Sequence, residues 1–131
     1  RAVEDLLACE RRLNVGWAAK ILNVYLKTRC YVGAEGRHDL SKAIHPPIDG
    51  GLWLGLKRHF GERSDILDRS NCVERIKDIN EYDCYERIID GCRDAATELG
   101  CKLIEVDHLW AGTEFLAKTK NEKVVPFVVR L

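Results

Sequence analysis

His45-Pro46-Pro47-Ile48-Asp49-Gly50-Gly51-Leu52-Trp53-Leu54-Gly55-Leu56-Lys57-Arg58-His59-Phe60-Gly61 is the stretch on which the fold turns. A residue before proline is pushed out of the α region, and neither Pro46 nor Pro47 has an amide hydrogen to donate, so the chain runs extended here. Asp49 follows two residues later. Gly50 to Phe60 then reads as an apolar helix stopped by Gly61, which puts Asp49 at the N-cap. Lys57 and Arg58 fall at the other end of that helix, where cations complement its dipole.

Upstream, Val3 to Leu13 carries apolar residues among charges at the spacing of a short amphipathic helix. Asn14 is placed to cap a second helix from Val15 to about Val32. Its residues Val15, Ala18, Ala19, Leu22, Tyr25, Leu26 and Tyr31 recur at helical spacing, widened by Ile21 and Val24, which predicts a largely buried helix. Gly33 to Gly36 is loop chemistry, and Asp39 is placed to cap a turn through Ile44. Downstream, a short helix is expected over Ser64 to Asp68. Glu81 to Leu99 is the clearest helix, with Tyr85, Ile88, Ile89, Cys92, Ala95, Ala96 and Leu99 on one stripe and Gly100 as the stop. Leu103 to Leu116 reads as another helix, and Val124 to Leu131 as a strand or an extended tail. The expected class is all-α, a single multi-helix domain.

A chain of 131 residues, 46% hydrophobic and 32% charged, is long enough for one compact core and short for two. No apolar run has the roughly 18 residues of a membrane helix, so no membrane partner is expected, and the chain reads as soluble and cytoplasmic. It opens on Arg1 and holds no Met, so its natural start is expected to lie further upstream. Cys9, Cys30, Cys72, Cys84, Cys92 and Cys101 are scattered with no C-x-x-C pair, and read as reduced core thiols rather than disulfides or metal ligands. His38, His45 and His59 are too scattered for a metal site; no metal and no cofactor is expected.

Charge is zero overall but uneven. Residues 11 to 63 hold ten Lys/Arg against four Asp/Glu, and residues 64 to 117 hold six against thirteen. Either a polyanion-binding face is backed by an acidic one, or two ordinary solvated surfaces neutralise each other.

Three landmarks occur in order. They are Val15-Gly16-Trp17-Ala18-Ala19-Lys20-Ile21-Leu22-Asn23-Val24-Tyr25-Leu26, then Pro47-Ile48-Asp49 with Leu56, Arg58 and Gly61, then Leu103-Ile104-Glu105-Val106-Asp107-His108-Leu109-Trp110-Ala111-Gly112 followed by Lys118. Together they resemble the helix-hairpin-helix DNA glycosylases, the superfamily of endonuclease III and the 8-oxoguanine glycosylases. Those proteins carry K-T-A-N-V-x-L, then P-V-D-T-H-V, and in the archaeal-type members E-L-D-x-x-L-W-x-x-x-G. Gly50-Gly51 stand here where that family has Thr-His.

The resemblance implies a helical DNA-binding protein that acts on a flipped base or abasic site. Asp49 would steady the oxocarbenium-like sugar or act as base, and Lys20 would be the amine nucleophile that forms a Schiff base. Desolvation beside Trp17 and Tyr25 would help that amine lose its proton. DNA phosphates would lie on amides near Val15, Gly16 and Trp17, with Lys27, Lys57 and Arg58 as further DNA contacts. Set against this, Asp49 serves equally as a cap alone, Lys20 as a surface lysine, Trp53 and Trp110 as core anchors, and the whole chain as a non-catalytic helical module that binds DNA or a protein.

Overall fold

In a computed structural model of the chain, which describes residues 1–10, 13–32 and 43–112, every regular element is helical and no strand forms among the described residues. In order they are α1 (Ala2–Cys9), α2 (Val15–Leu26) with a π-helical continuation (Lys27–Val32), α3 (Gly50–Phe60), α4 (Ser64–Ser70), a 3-10 turn (Ile76–Asp78), α5 (Tyr82–Leu99) and a 3-10 segment (Leu103–Leu109). The all-α expectation holds. The loop at residues 33–36, the Asp39 cap and the strand or tail at 124–131 lie outside the described residues.

The proline segment does what its chemistry dictates. Ile44, Pro46, Pro47 and Ile48 are buried in a segment without helix or strand, and Asp49, extended at φ −157° and ψ 178°, turns its carboxylate onto the Leu52 amide at 3.0 Å, capping α3. Gly61 and Gly100 end α3 and α5 at φ 60° and 65°, a region that costs a residue with a Cβ. Asn14 caps α2 by accepting from the Trp17 amide at 2.9 Å.

α5 contributes Tyr85, Ile88, Ile89, Cys92, Ala95 and Ala96 to the core, and α3 contributes Leu52, Trp53, Leu56 and Phe60. Ile48, Ile66, Ile79 and Val106 belong to the same buried cluster. The Trp53 indole is the core anchor expected of it, donating to the Ser70 carbonyl at 2.6 Å.

Four expectations are corrected. α1 stops at Cys9, because Glu10 is already extended at φ −132° and ψ 98°. α2 is not largely buried: it presses small residues, Gly16, Ala18 and Ala19, together with Asn23 against the protein, while Ile21 and Tyr25 stand 46% and 56% exposed. Small residues let the helix approach closely, which leaves the large ones on its outer face. Of the expected 103–116 helix, Leu103–Leu109 is a tight 3-10 segment that Trp110 leaves at φ −52° and ψ 123°, and residues 113–116 lie outside the described residues. Of the six cysteines only Cys92 is buried, its thiol pushed up to about 12 by desolvation, whereas Cys9 and Cys72 are exposed.

Candidate functional site

Lys20 lies on α2 and Asp49 caps α3, two elements that do not touch in sequence. The fold brings the Lys20 Nζ to 3.2 Å from Asp49 Oδ2, with the side chains 28% and 21% exposed. The other carboxylate oxygen is fully engaged: Oδ1 accepts from the Leu52 amide and from the Trp110 indole N–H, each at 3.0 Å. One oxygen therefore holds the carboxyl in place and the other faces the amine.

Two tryptophans flank this pair. Lys20 Nζ sits 5.5 Å from the centroid of the Trp17 ring, one turn back on α2, and Trp110 closes the Asp49 side. Both rings are about half open to solvent, at 41% and 44%. Trp110 is thus not the core anchor the sequence suggested; it is an exposed ring held by a hydrogen bond to a charged group.

Glycines make this docking possible. An added Cβ on Gly51 would meet the Trp110 Nε1 at 2.3 Å, and one on Gly55 would meet the Leu109 carbonyl oxygen at 1.8 Å. Ala111 N–H donates to the Gly51 carbonyl at 3.0 Å, fastening residues 109–112 across the first two turns of α3. Gly51 in place of the histidine of the resembled family is therefore the condition for Trp110 to reach Asp49.

The other expected DNA contacts fall elsewhere. Gly16 is buried, its amide donating to the Ile79 carbonyl at 3.0 Å, and the Trp17 amide is taken by Asn14. The phosphate grip expected of these two amides is not available, because the 76–80 loop and the cap already use them. Asn14 reinforces that loop by donating to the Lys77 carbonyl at 2.7 Å. Val15 is half-buried at the helix start. Lys27 pairs with Asp107, and Arg63 bridges to Glu98 at 3.1 Å, so part of the basic half is neutralised by the acidic half. Lys57 and Arg58 are exposed, but α3 carries them about 12 Å along its axis from Asp49, given a rise of about 1.5 Å per residue.

Sequence reasoning missed a second polar group beneath α2. Asn23 donates to the Tyr85 hydroxyl at 2.8 Å, and that hydroxyl is hydrogen-bonded to His45 Nδ1 at 2.8 Å. The three side chains line an open pocket of about 480 Å3, to which the first turn of α1 also contributes. Nothing in the spacing of residues 23, 45 and 85 foretells their meeting. Burial and the nearby Arg93 hold His45 below its ordinary 6.5, and burial pushes the Tyr85 phenol up.

A histidine kept neutral in the folded state binds fewer protons than in the unfolded chain, so its contribution to stability is full above 6.5 and is lost as pH falls below it. The urea midpoint should accordingly fall between about pH 7.5 and 5.5, and fall less in His45→Gln. An identical slope in both proteins would remove His45 from that role.

Among the described residues no three His, Cys, Asp or Glu side chains gather as a metal site, and no helix is long and apolar enough to cross a membrane. Comparison with protein-family models, curated proteins and solved structures gives no match. The site therefore rests on its own chemistry: an amine and a carboxylate in contact, half-shielded, between two aromatic faces.

Proposed function

We propose that the chain is a DNA-binding protein of the base-excision glycosylase/lyase type, acting on a flipped base or an abasic site. The observation that carries this reading is the 3.2 Å contact between the Lys20 amine and Asp49 Oδ2. Asp49 is the nearest base for the ammonium proton. Once that proton moves, the Lys20 amine attacks the anomeric carbon of an abasic sugar, whose hydroxyl leaves as water to give a Schiff base from which the strand can be cleaved; on an intact nucleotide the bond to the base breaks instead and the base leaves with a proton. The carboxylate would also face the positive charge that builds on the sugar as a base departs. Trp17 and Trp110 offer flat apolar surfaces on which unstacked bases can rest.

Borohydride trapping on duplex oligonucleotides with an abasic site tests it. A covalent adduct with the native chain, lost in Lys20→Gln, is the expected result. No adduct with a folded native chain overturns the assignment.

The second reading, a non-catalytic helical module for DNA or a protein partner, is favoured by the outer face of α2. Trp17, Ile21 and Tyr25 are exposed at four-residue intervals there, with the Arg29 guanidinium 5.8 Å from the Tyr25 ring centroid. Salt-sensitive DNA binding without any trapped adduct would select that module.

A further inference from the structure

The pocket beside the Asn23, Tyr85 and His45 side chains is built from segments distant in sequence. α2 lines it with Ala19, Leu22, Asn23 and Leu26, positions three and four apart that share one helix face. α5 adds Tyr82 and Tyr85 from its first turn, and residues 43–45 add the stretch that enters the proline segment. At about 480 Å3 the pocket is within the size range of small-molecule sites, and its lining has their usual make-up of apolar walls with a few convergent polar groups.

Two features of the lining define what fits. Tyr82 and Leu26 are 52% and 37% exposed although both border the pocket, so apolar surface stands open to water where the ring of an occupant would cover it. The Tyr82 and Tyr85 ring centroids lie 6.0 Å apart, and that of His45 lies 5.8 Å from Tyr85, which extends the aromatic surface toward the polar groups. Those polar groups are neutral. A carboxamide, a phenol and an imidazole bring hydrogen-bonding capacity beyond the two bonds that Asn23, Tyr85 and His45 make to one another. The charged side chains of the lining, Arg1 and Glu4, are exposed and opposite in sign.

We infer that this pocket is a binding site for a small neutral ring compound carrying a carboxamide or hydroxyl group, with the ring on Tyr82 and Leu26 and the polar head on Asn23, Tyr85 and His45. A charged head would shed its water with no opposite charge among those three groups to receive it. A purely apolar ring would cover them without offering a partner. The occupant is a free molecule, so the site stands whether or not Lys20 and Asp49 act on DNA.

The test titrates the native chain with benzamide in the absence of DNA, followed by saturation-transfer NMR and calorimetry. Saturable one-site binding is expected, with a dissociation constant of about 1 mM or tighter for so small a ring. Benzoate and benzylamine, of the same size but charged, should bind about tenfold more weakly. Tyr82→Ala, at an exposed position outside the core, should weaken benzamide about tenfold. Tyr85→Phe keeps the ring and removes only the hydroxyl, so it should weaken benzamide about fivefold and leave fluorobenzene no weaker than with the native chain. No saturable binding of benzamide, benzoate binding as tightly as benzamide, or an unchanged benzamide constant in Tyr82→Ala overturns the inference.

Discussion

Gly55→Ala is expected to destabilise the protein by about 3 kcal/mol, lowering its midpoint of thermal unfolding by about 10 °C. Alanine is the better helix former by about 1 kcal/mol, so at an open position of α3 the same change would stabilise. Here the new methyl would sit 1.8 Å from the Leu109 carbonyl oxygen and 2.6 Å from its carbon. Both are backbone atoms and cannot swing aside as a side chain would. The molecule must strain α3 or release residues 109–112, and release would strip Trp110 from Asp49. Urea unfolding followed by tryptophan fluorescence measures both. A variant as stable as the native chain would mean that the 109–112 strap does not lie on α3.

Asp49→Ala and Asp49→Asn should part sharply. Alanine removes the cap of α3, worth about 1 kcal/mol, and the acceptor of the Trp110 indole, worth about another 1 kcal/mol, so a loss of about 2 kcal/mol is expected. Asparagine is as good a cap, and its carbonyl oxygen can keep both the Leu52 amide and the Trp110 indole. It gives up only the charge opposite Lys20, and the pair is partly exposed, so the cost should stay within about 1 kcal/mol. Asp49→Asn is thus the variant that separates chemistry from architecture: native-like stability with trapping reduced is expected if the carboxylate takes the Lys20 proton. Equal stability losses for the two variants would show that the charge, not the cap, holds this corner together.

Local chemistry explains what was legible beforehand. The Asp49 cap, the extent of α3, the Asn14 cap and the α5 stripe were all readable, because each depends on neighbours within a turn or two: prolines that forbid a helix, a side chain that reaches the third amide, apolar residues at helical intervals. The candidate pair of Lys20 and Asp49 came from resemblance, and the fold does bring them into contact. What escaped depends on partners far along the chain. Trp110 looks like core until Asp49, 61 positions away, is known to take its N–H. Gly16 looks like a phosphate-binding turn until the Ile79 carbonyl is found on its amide. Ile21 and Tyr25 fit the periodicity of a buried helix, yet the smaller Ala18 and Ala19 won the inner face because they permit closer approach. Residues 103–109 carry helical spacing but tighten into a 3-10 segment, with the Glu105 carboxylate accepting from the Lys102 amide at 2.8 Å.

The clasp that Asn14 makes across 63 residues of chain, together with the 61-residue reach of Trp110, also bears on the order of events as the polypeptide condenses. Hairpin-like neighbours such as α4 and α5 meet early because little chain entropy opposes them, whereas contacts of such high sequence separation are reached late. Lys20 and Asp49 are each made rigid by one of these distant fastenings. The amine and the acid are therefore expected to come into register only as the transition to the native state completes, so that even partial local unfolding disarms the pair before the helical core is lost.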